Sequence, residues 1–169
     1  MTTLLTPERV TLSRLHAPTL QTIPDAVAEN LRRVRAATTA RIMAVVKADG
    51  YGHGAVTVAR AAVDAGADWL GVTDVAEAVA LRDAGITVPI LSWLNPSGVD
   101  AAAAAEHRVD IAVGSVEELR QLIADAADPV RVHLQLDTGM ARGGAPLEEW
   151  AELLRLARTG RGRVEVVGV

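Results

Sequence analysis

Short runs rich in valine, isoleucine and leucine return along this chain at a near-constant interval, with helix-forming stretches between them. They are Ile42–Val46, Trp69–Val72, Ile90–Leu94, Asp110–Val113, Arg131–Leu136 and Val164–Val169. Their starts are spaced by roughly 20 to 30 residues, the length of one strand–helix unit. Ile42–Val46 and Ile90–Leu94 are almost continuously apolar, which is how strands of a parallel sheet covered on both faces read.

The gaps carry helix punctuation. Asp25–Ala37 follows Pro24, a favoured first-turn residue, and puts Val27, Leu31 and Val34 on one face. The stretches 54–65 and 74–84 run to Gly66 and Gly85, which suit the left-handed position after a helix. Asp74-x-x-Glu77 and Ser115-x-x-Glu118 have capping-box spacing, Asp100 precedes the alanine run 101–105, and Pro146 opens Leu147–Arg158. The order is helix, then β-α five times, then a last β. That order predicts an α/β protein with a parallel sheet and right-handed crossovers.

An open doubly wound sheet and a (β/α)8 barrel both fit this rhythm. No Gly-x-Gly-x-x-Gly follows the first strand, as a dinucleotide-binding start would require. A barrel needs eight strands and typically about 250 residues. Only six strand candidates exist here. A barrel would therefore be incomplete, with two free sheet edges and an apolar lumen that favour association.

Composition narrows the classes further. The 169 residues, half of them apolar, suffice for one core. No apolar run approaches the ~18 residues of a membrane span, and Met1–Val10 lacks the basic start of a secretory signal. Cysteine is absent, which excludes disulfides and thiolate metal sites and suits a reducing cytosol. Net charge is −4 without a basic cluster, which argues against nucleic-acid binding. His16, His53, His107 and His133 lack ligand spacing, so no metal site is expected.

In α/β folds chemistry gathers at the carboxyl ends of strands. Two polar clusters stand there: Lys47–Gly54 after the first strand, and Asp137–Gly143 after the fifth. Lys47 is either a surface lysine or an amine that leaves solvent, loses basicity and attacks a carbonyl. Tyr51, the only tyrosine, follows in a loop whose Gly50, Gly52 and Gly54 let backbone approach a ligand. His53 reads as a helix cap or loop filler. Arg142 can bind a carboxylate or phenolate bidentately, or simply pair with Glu148 or Glu149. Asp137 before Thr-Gly reads as a turn residue. Trp93, at a strand end, reads as core packing or as a wall that narrows a pocket.

Val45-Val46-Lys47-Ala48-Asp49-Gly50-Tyr51-Gly52-His53-Gly54 resembles the pyridoxal-phosphate attachment motif of alanine racemases, AVVKADAYGHG, with Gly50 where alanine is usual. The stretch 133–144 resembles the same family's second motif, HLKxDTGMxRxG. The resemblance covers roughly residues 20 to 169. It implies a fold-type III barrel with an appended β domain, cytoplasmic and working as a homodimer. The activity implied is interconversion of L- and D-alanine, a peptidoglycan precursor, with pyridoxal 5'-phosphate as cofactor. Serine or a broader amino-acid set is the alternative substrate.

By position, Lys47 would carry the cofactor as an aldimine and serve as one acid/base at the α-carbon. Tyr51 would bind the cofactor phosphate, and Arg142 the cofactor's phenolic oxygen and the substrate carboxylate. Departures accompany the match. Gln135 stands where the family has a lysine that is often carbamylated. Leu12–Gln21 lacks the family's V-D-L-D-A pattern. The opposite-face tyrosine of the family comes from a partner's C-terminal domain and has no counterpart here. The expectation is an N-terminal segment (1–20), a partial barrel domain (21–169) and no β domain. The chain alone is expected to be incomplete and inactive, not a stable, active monomer; a non-catalytic truncated cofactor-binding fragment is a further alternative.

Overall fold

The computed structural model describes residues 20–96 and 98–169, so the expectations for the first twenty residues fall almost wholly outside it. Six parallel strands form one sheet: β1 (Met43–Val45), β2 (Trp69–Val72), β3 (Ile90–Ser92), β4 (Val109–Val113), β5 (Val130–Leu134) and β6 (Val164–Gly168). Their order in space is their order in sequence. This decides between the two architectures. A doubly wound sheet must reverse its order at a switch point, whereas consecutive right-handed crossovers that never reverse lay every helix on one face, as in a barrel.

The helices are α1 (Pro24–Ala37), α2 (Ala55–Asp64), α3 (Val75–Asp83), α4 (Ala101–Glu106), α5 (Val116–Asp125) and α6 (Trp150–Thr159). Their ends follow the sequence signals. Pro24 opens α1, Asp100 Oδ1 accepts from Ala103 N at 3.0 Å, and Gly66 and Gly85 take positive φ after α2 and α3. The run after Pro146 begins with a 3-10 turn, Leu147–Glu149, before α6.

The covered face of the sheet is the core. Leu70, Val72, Ile90, Ile111, Val132 and Leu134 lie beneath the helices and are essentially inaccessible. The opposite face alternates with them. It carries Val45, Trp69, Leu91, Trp93, Asp110, Arg131 and His133, most of them partly exposed. The near-continuous apolar character of Ile42–Val46 therefore does not mark a strand covered on both sides. β1 lies at one end of the sheet, and its Val45 is 38% exposed.

Two clusters fix the sheet's geometry. Asp68 Oδ2 accepts from Ile42 N at 2.7 Å and from Arg35 Nη2 at 2.6 Å, which ties α1 to the starts of β1 and β2. On the uncovered face Asp110, itself buried, accepts from Arg131 Nε at 2.7 Å and lies 3.2 Å from His133 Nε2. The His133 ring stands edge-on to Trp69, with centroids 5.5 Å apart.

Candidate active site

All six strands are parallel, so the loops after β1 and β5 emerge at the same end of the sheet. Lys47 is in the first of them. Val46 N still pairs with Gly71 O at 2.9 Å, and then the chain turns sharply. Ala48, Asp49 and Gly50 take φ/ψ of 53/51°, 53/43° and 63/38°, and Tyr51 has φ 57°. With Gly50 N bonded to Val46 O and Gly52 N to Ala48 O, the segment read from sequence as a glycine-rich loop is one turn of left-handed helix.

Left-handed residues other than glycine cost roughly 1–2 kcal/mol each. Ala48, Asp49 and Tyr51 hold the conformation because neighbouring groups fix it. Asp49 Oδ1 accepts from Ala55 N at 2.7 Å and so caps α2, the role considered for His53. The His53 carbonyl instead accepts from Thr22 Oγ1 at 2.8 Å. Gly50 is buried at φ +63°, with Val58 Cγ2 3.3 Å from where a Cβ would stand. Glu77 Oε1 of α3 accepts from Ala48 N at 2.5 Å.

The turn brings two of the three expected site residues together. Lys47 Nζ stands 4.8 Å from the centroid of the Tyr51 ring, a cation–π contact. Tyr51 is 61% exposed. Lys47 is also the only lysine in the chain, a signal that its motif alone does not reveal. Every other member of the Lys/Arg set is an arginine, which cannot form an imine.

Arg142 is exposed in the loop after β5 and forms no ion pair with Glu148 or Glu149 among the described residues. The loop is closed at its base, where Asp137 N donates to Ala145 O and Ala145 N to Gln135 O, both at 2.8 Å. Trp150 Nε1 reaches the same Ala145 carbonyl at 2.9 Å. Inside the loop Asp137 Oδ1 accepts from Gly139 N at 2.8 Å and Ala141 N at 3.1 Å. Those donors hold its carboxyl below the ordinary value. Asp137 is thus the turn former its sequence suggests. Gln135 Nε2 lies 3.2 Å from where a Cβ on Gly143 would stand, beside Arg142.

The Cη2 and Cζ3 carbons of Trp93 lie over Gly71 on the uncovered face. A methyl on Gly71 would fall 2.5 Å from two of its ring carbons. Trp93 therefore packs on the uncovered face and not in the core, and its ring lies over the strand next to the one that leads into Lys47.

A singly wound α/β sheet with an amine and a phenol side by side at its carboxyl end marks a (β/α) barrel segment with a candidate site at Lys47. The family model for the alanine racemase N-terminal domain matches residues 24–169, and the chain belongs to that family. Alanine racemase of Salinispora tropica is 49% identical over 150 residues, spanning 86% of this chain and 40% of that protein. The Mycolicibacterium smegmatis enzyme is 45% identical over 157 residues, spanning 88% and 40%. The crystal structure of alanine racemase from Streptomyces lavendulae superposes with a TM-score of 0.81 at 42% identity, covering 86% of this chain and 40% of that one. The Bacillus anthracis enzyme, solved with bound L-Ala-P, gives 0.78 at 36% identity, covering 86% and 39%. The chain thus spans about 40% of the length of the curated relatives it matches.

Proposed function

We propose that this chain supplies the lysine-bearing part of a pyridoxal 5'-phosphate-dependent alanine racemase. The observation that carries the reading is the sole lysine, held against the sole tyrosine by a left-handed turn at the carboxyl end of β1. The donor set fits the cofactor: a primary amine suits its aldehyde, and an exposed phenol suits its phosphate. When bound, the cofactor supplies an aldehyde for covalent attachment and a ring that stabilises negative charge at the substrate α-carbon.

Each residue then has one task. Lys47 Nζ holds the cofactor and takes or returns the α-proton on one face. Tyr51 donates its hydroxyl to the phosphate. Arg142, free of intramolecular ion pairs among the described residues, orients the substrate carboxylate, with Gln135 beside it. Racemisation needs a second acid/base on the opposite face. Tyr51 is already used and no other tyrosine exists among the 169 residues. By the resemblance that group is a tyrosine of a partner's C-terminal domain, outside these residues, which assembles with 21–169 into a cytosolic homodimer producing D-alanine for the cell wall.

The test is chiral analysis of L-alanine incubated with pyridoxal 5'-phosphate and either this chain or a version extended to its relatives' full length. The extended protein is expected to produce D-alanine and the chain alone none. Serine turned over in preference to alanine would move the reading to a serine racemase. An extended protein that binds cofactor but racemises neither would overturn it.

A further inference from the structure

Two helices of this fold begin with the same capping device. At α5, Ser115 Oγ accepts from Glu118 N at 3.1 Å, and Glu118 Oε2 returns to Gly114 N at 2.7 Å. At α3, Asp74 Oδ1 accepts from Glu77 N at 2.8 Å, and Glu77 Oε2 returns to Thr73 N at 2.8 Å and Thr73 Oγ1 at 2.9 Å. One carboxylate oxygen completes each cap. Glu118 has no further partner among the described residues. Glu77 uses its second oxygen, Oε1, on Ala48 N, 29 positions earlier in the chain.

Ala48 follows Lys47 and is the first left-handed residue of the turn. Its amide sits just past the point where β1 stops pairing with β2, since the last such bond is Val46 N to Gly71 O. Among the described residues, the Glu77 carboxylate alone receives that amide. We infer that Glu77 is a positioning residue for Lys47: it pins the peptide next to the lysine and thereby fixes where the amine emerges from the sheet. Burial pushes the Glu77 carboxyl up, but the Thr73, Ala48 and Asp49 donors outweigh it and hold the group ionised below the ordinary range. The tether therefore stays charged wherever the lysine would work. A charged acceptor makes the stronger kind of hydrogen bond.

The inference rests on the proposed role of Lys47, and its test separates the two. Wild type, Glu77→Ala, Glu77→Gln and Glu118→Ala are compared at matched protein concentration, with the terminal amine blocked. The first readout is amide exchange of the 47–52 segment without cofactor. The second is the equilibrium constant for attachment of pyridoxal 5'-phosphate to Lys47, followed by absorbance. Glu77→Ala is expected to speed exchange and weaken attachment by about tenfold or more each, the scale of one hydrogen bond to a charged group. Glu77→Gln, which keeps an acceptor at Oε1, should recover much of both. Glu118→Ala removes an equivalent cap and should change neither.

If Glu77→Ala and Glu118→Ala behave alike, Glu77 is only a helix cap and the inference fails. If wild type attaches no cofactor while Glu77→Ala still speeds exchange, the role of Lys47 fails and the tether stands. Should Glu77→Ala not fold, Glu77→Asp is compared with Glu118→Asp: the shortened carboxylate cannot span both its own cap and Ala48 N, so 47–52 exchange is expected to speed and attachment to weaken in Glu77→Asp alone, and equal behaviour of the two variants would overturn the tether.

Discussion

Gly71→Ala isolates one contact on the uncovered face of the sheet. Gly71 lies within β2 and is not in the left-handed region, so alanine carries no backbone penalty there. The whole effect is steric. The new methyl would lie 2.5 Å from Cη2 and Cζ3 of Trp93 and 3.1 Å from Met43 Sδ. Carbon–carbon contacts are optimal near about 3.5–4.0 Å, so the indole must move by about 1 Å or more. Overpacking of this kind costs about 1–3 kcal/mol. Trp93→Leu alone should cost a similar amount through lost contact, but in its presence the methyl has room. The double variant should then be less destabilised than the sum by about 1 kcal/mol or more, above the few tenths expected of independent sites. The assay is urea denaturation followed by far-UV circular dichroism at one fixed protein concentration, because association shifts the midpoint. Additive single effects, or a Gly71→Ala protein as stable as wild type, would refute the packing described for Trp93.

Gly50→Ala should lower stability by about 1 kcal/mol, because it places a side chain at φ +63° against Val58, and urea midpoints measure this. Asp110→Ala leaves the Arg131 guanidinium and His133 without their buried partner. A loss of about 2 kcal/mol is expected, below the about 3–5 kcal/mol of fully buried pairs because Arg131 can turn to solvent. Asp137→Ala should speed amide exchange at Gly139 and Ala141 with little change in the midpoint of global unfolding. The same loop should loosen in acid. The folded carboxyl of Asp137 lies below its ordinary 3.8, so its ordering effect is full above that pH and fades as pH falls through the depressed value. Amide exchange in that loop between neutral pH and acid, corrected for intrinsic rates, checks the sign.

Periodicity located all six strands because their covered faces carry Leu70, Ile90, Ile111 and Val132, which no other placement buries. It did not distinguish a barrel from a doubly wound sheet. Strand order is a property of crossovers, and no local residue pattern records it. The lysine and arginine loops were legible from their motifs and their place after strands. The left-handed turn was hidden, because Ala48 and Tyr51 have no local preference for positive φ. Asp74-x-x-Glu77 signalled a helix start, but the second reach of Glu77 to Ala48 is a tertiary contact that spacing does not encode. The Asp110–Arg131–His133 group was invisible for the same reason, as its members meet only across paired strands. Leu94 was read as strand and instead has φ 75°, outside β3.

The central claim is that Lys47 is the amine that carries the cofactor. Because it is the only lysine, borohydride reduction in the presence of pyridoxal 5'-phosphate, with the terminal amine blocked, can label a single side chain. Peptide mass mapping is predicted to find one pyridoxyl group per chain at Lys47, lost in Lys47→Ala and weakened in Tyr51→Phe. A chain that stays unlabelled at saturating cofactor, or is labelled equally well after Lys47→Ala, would contradict it.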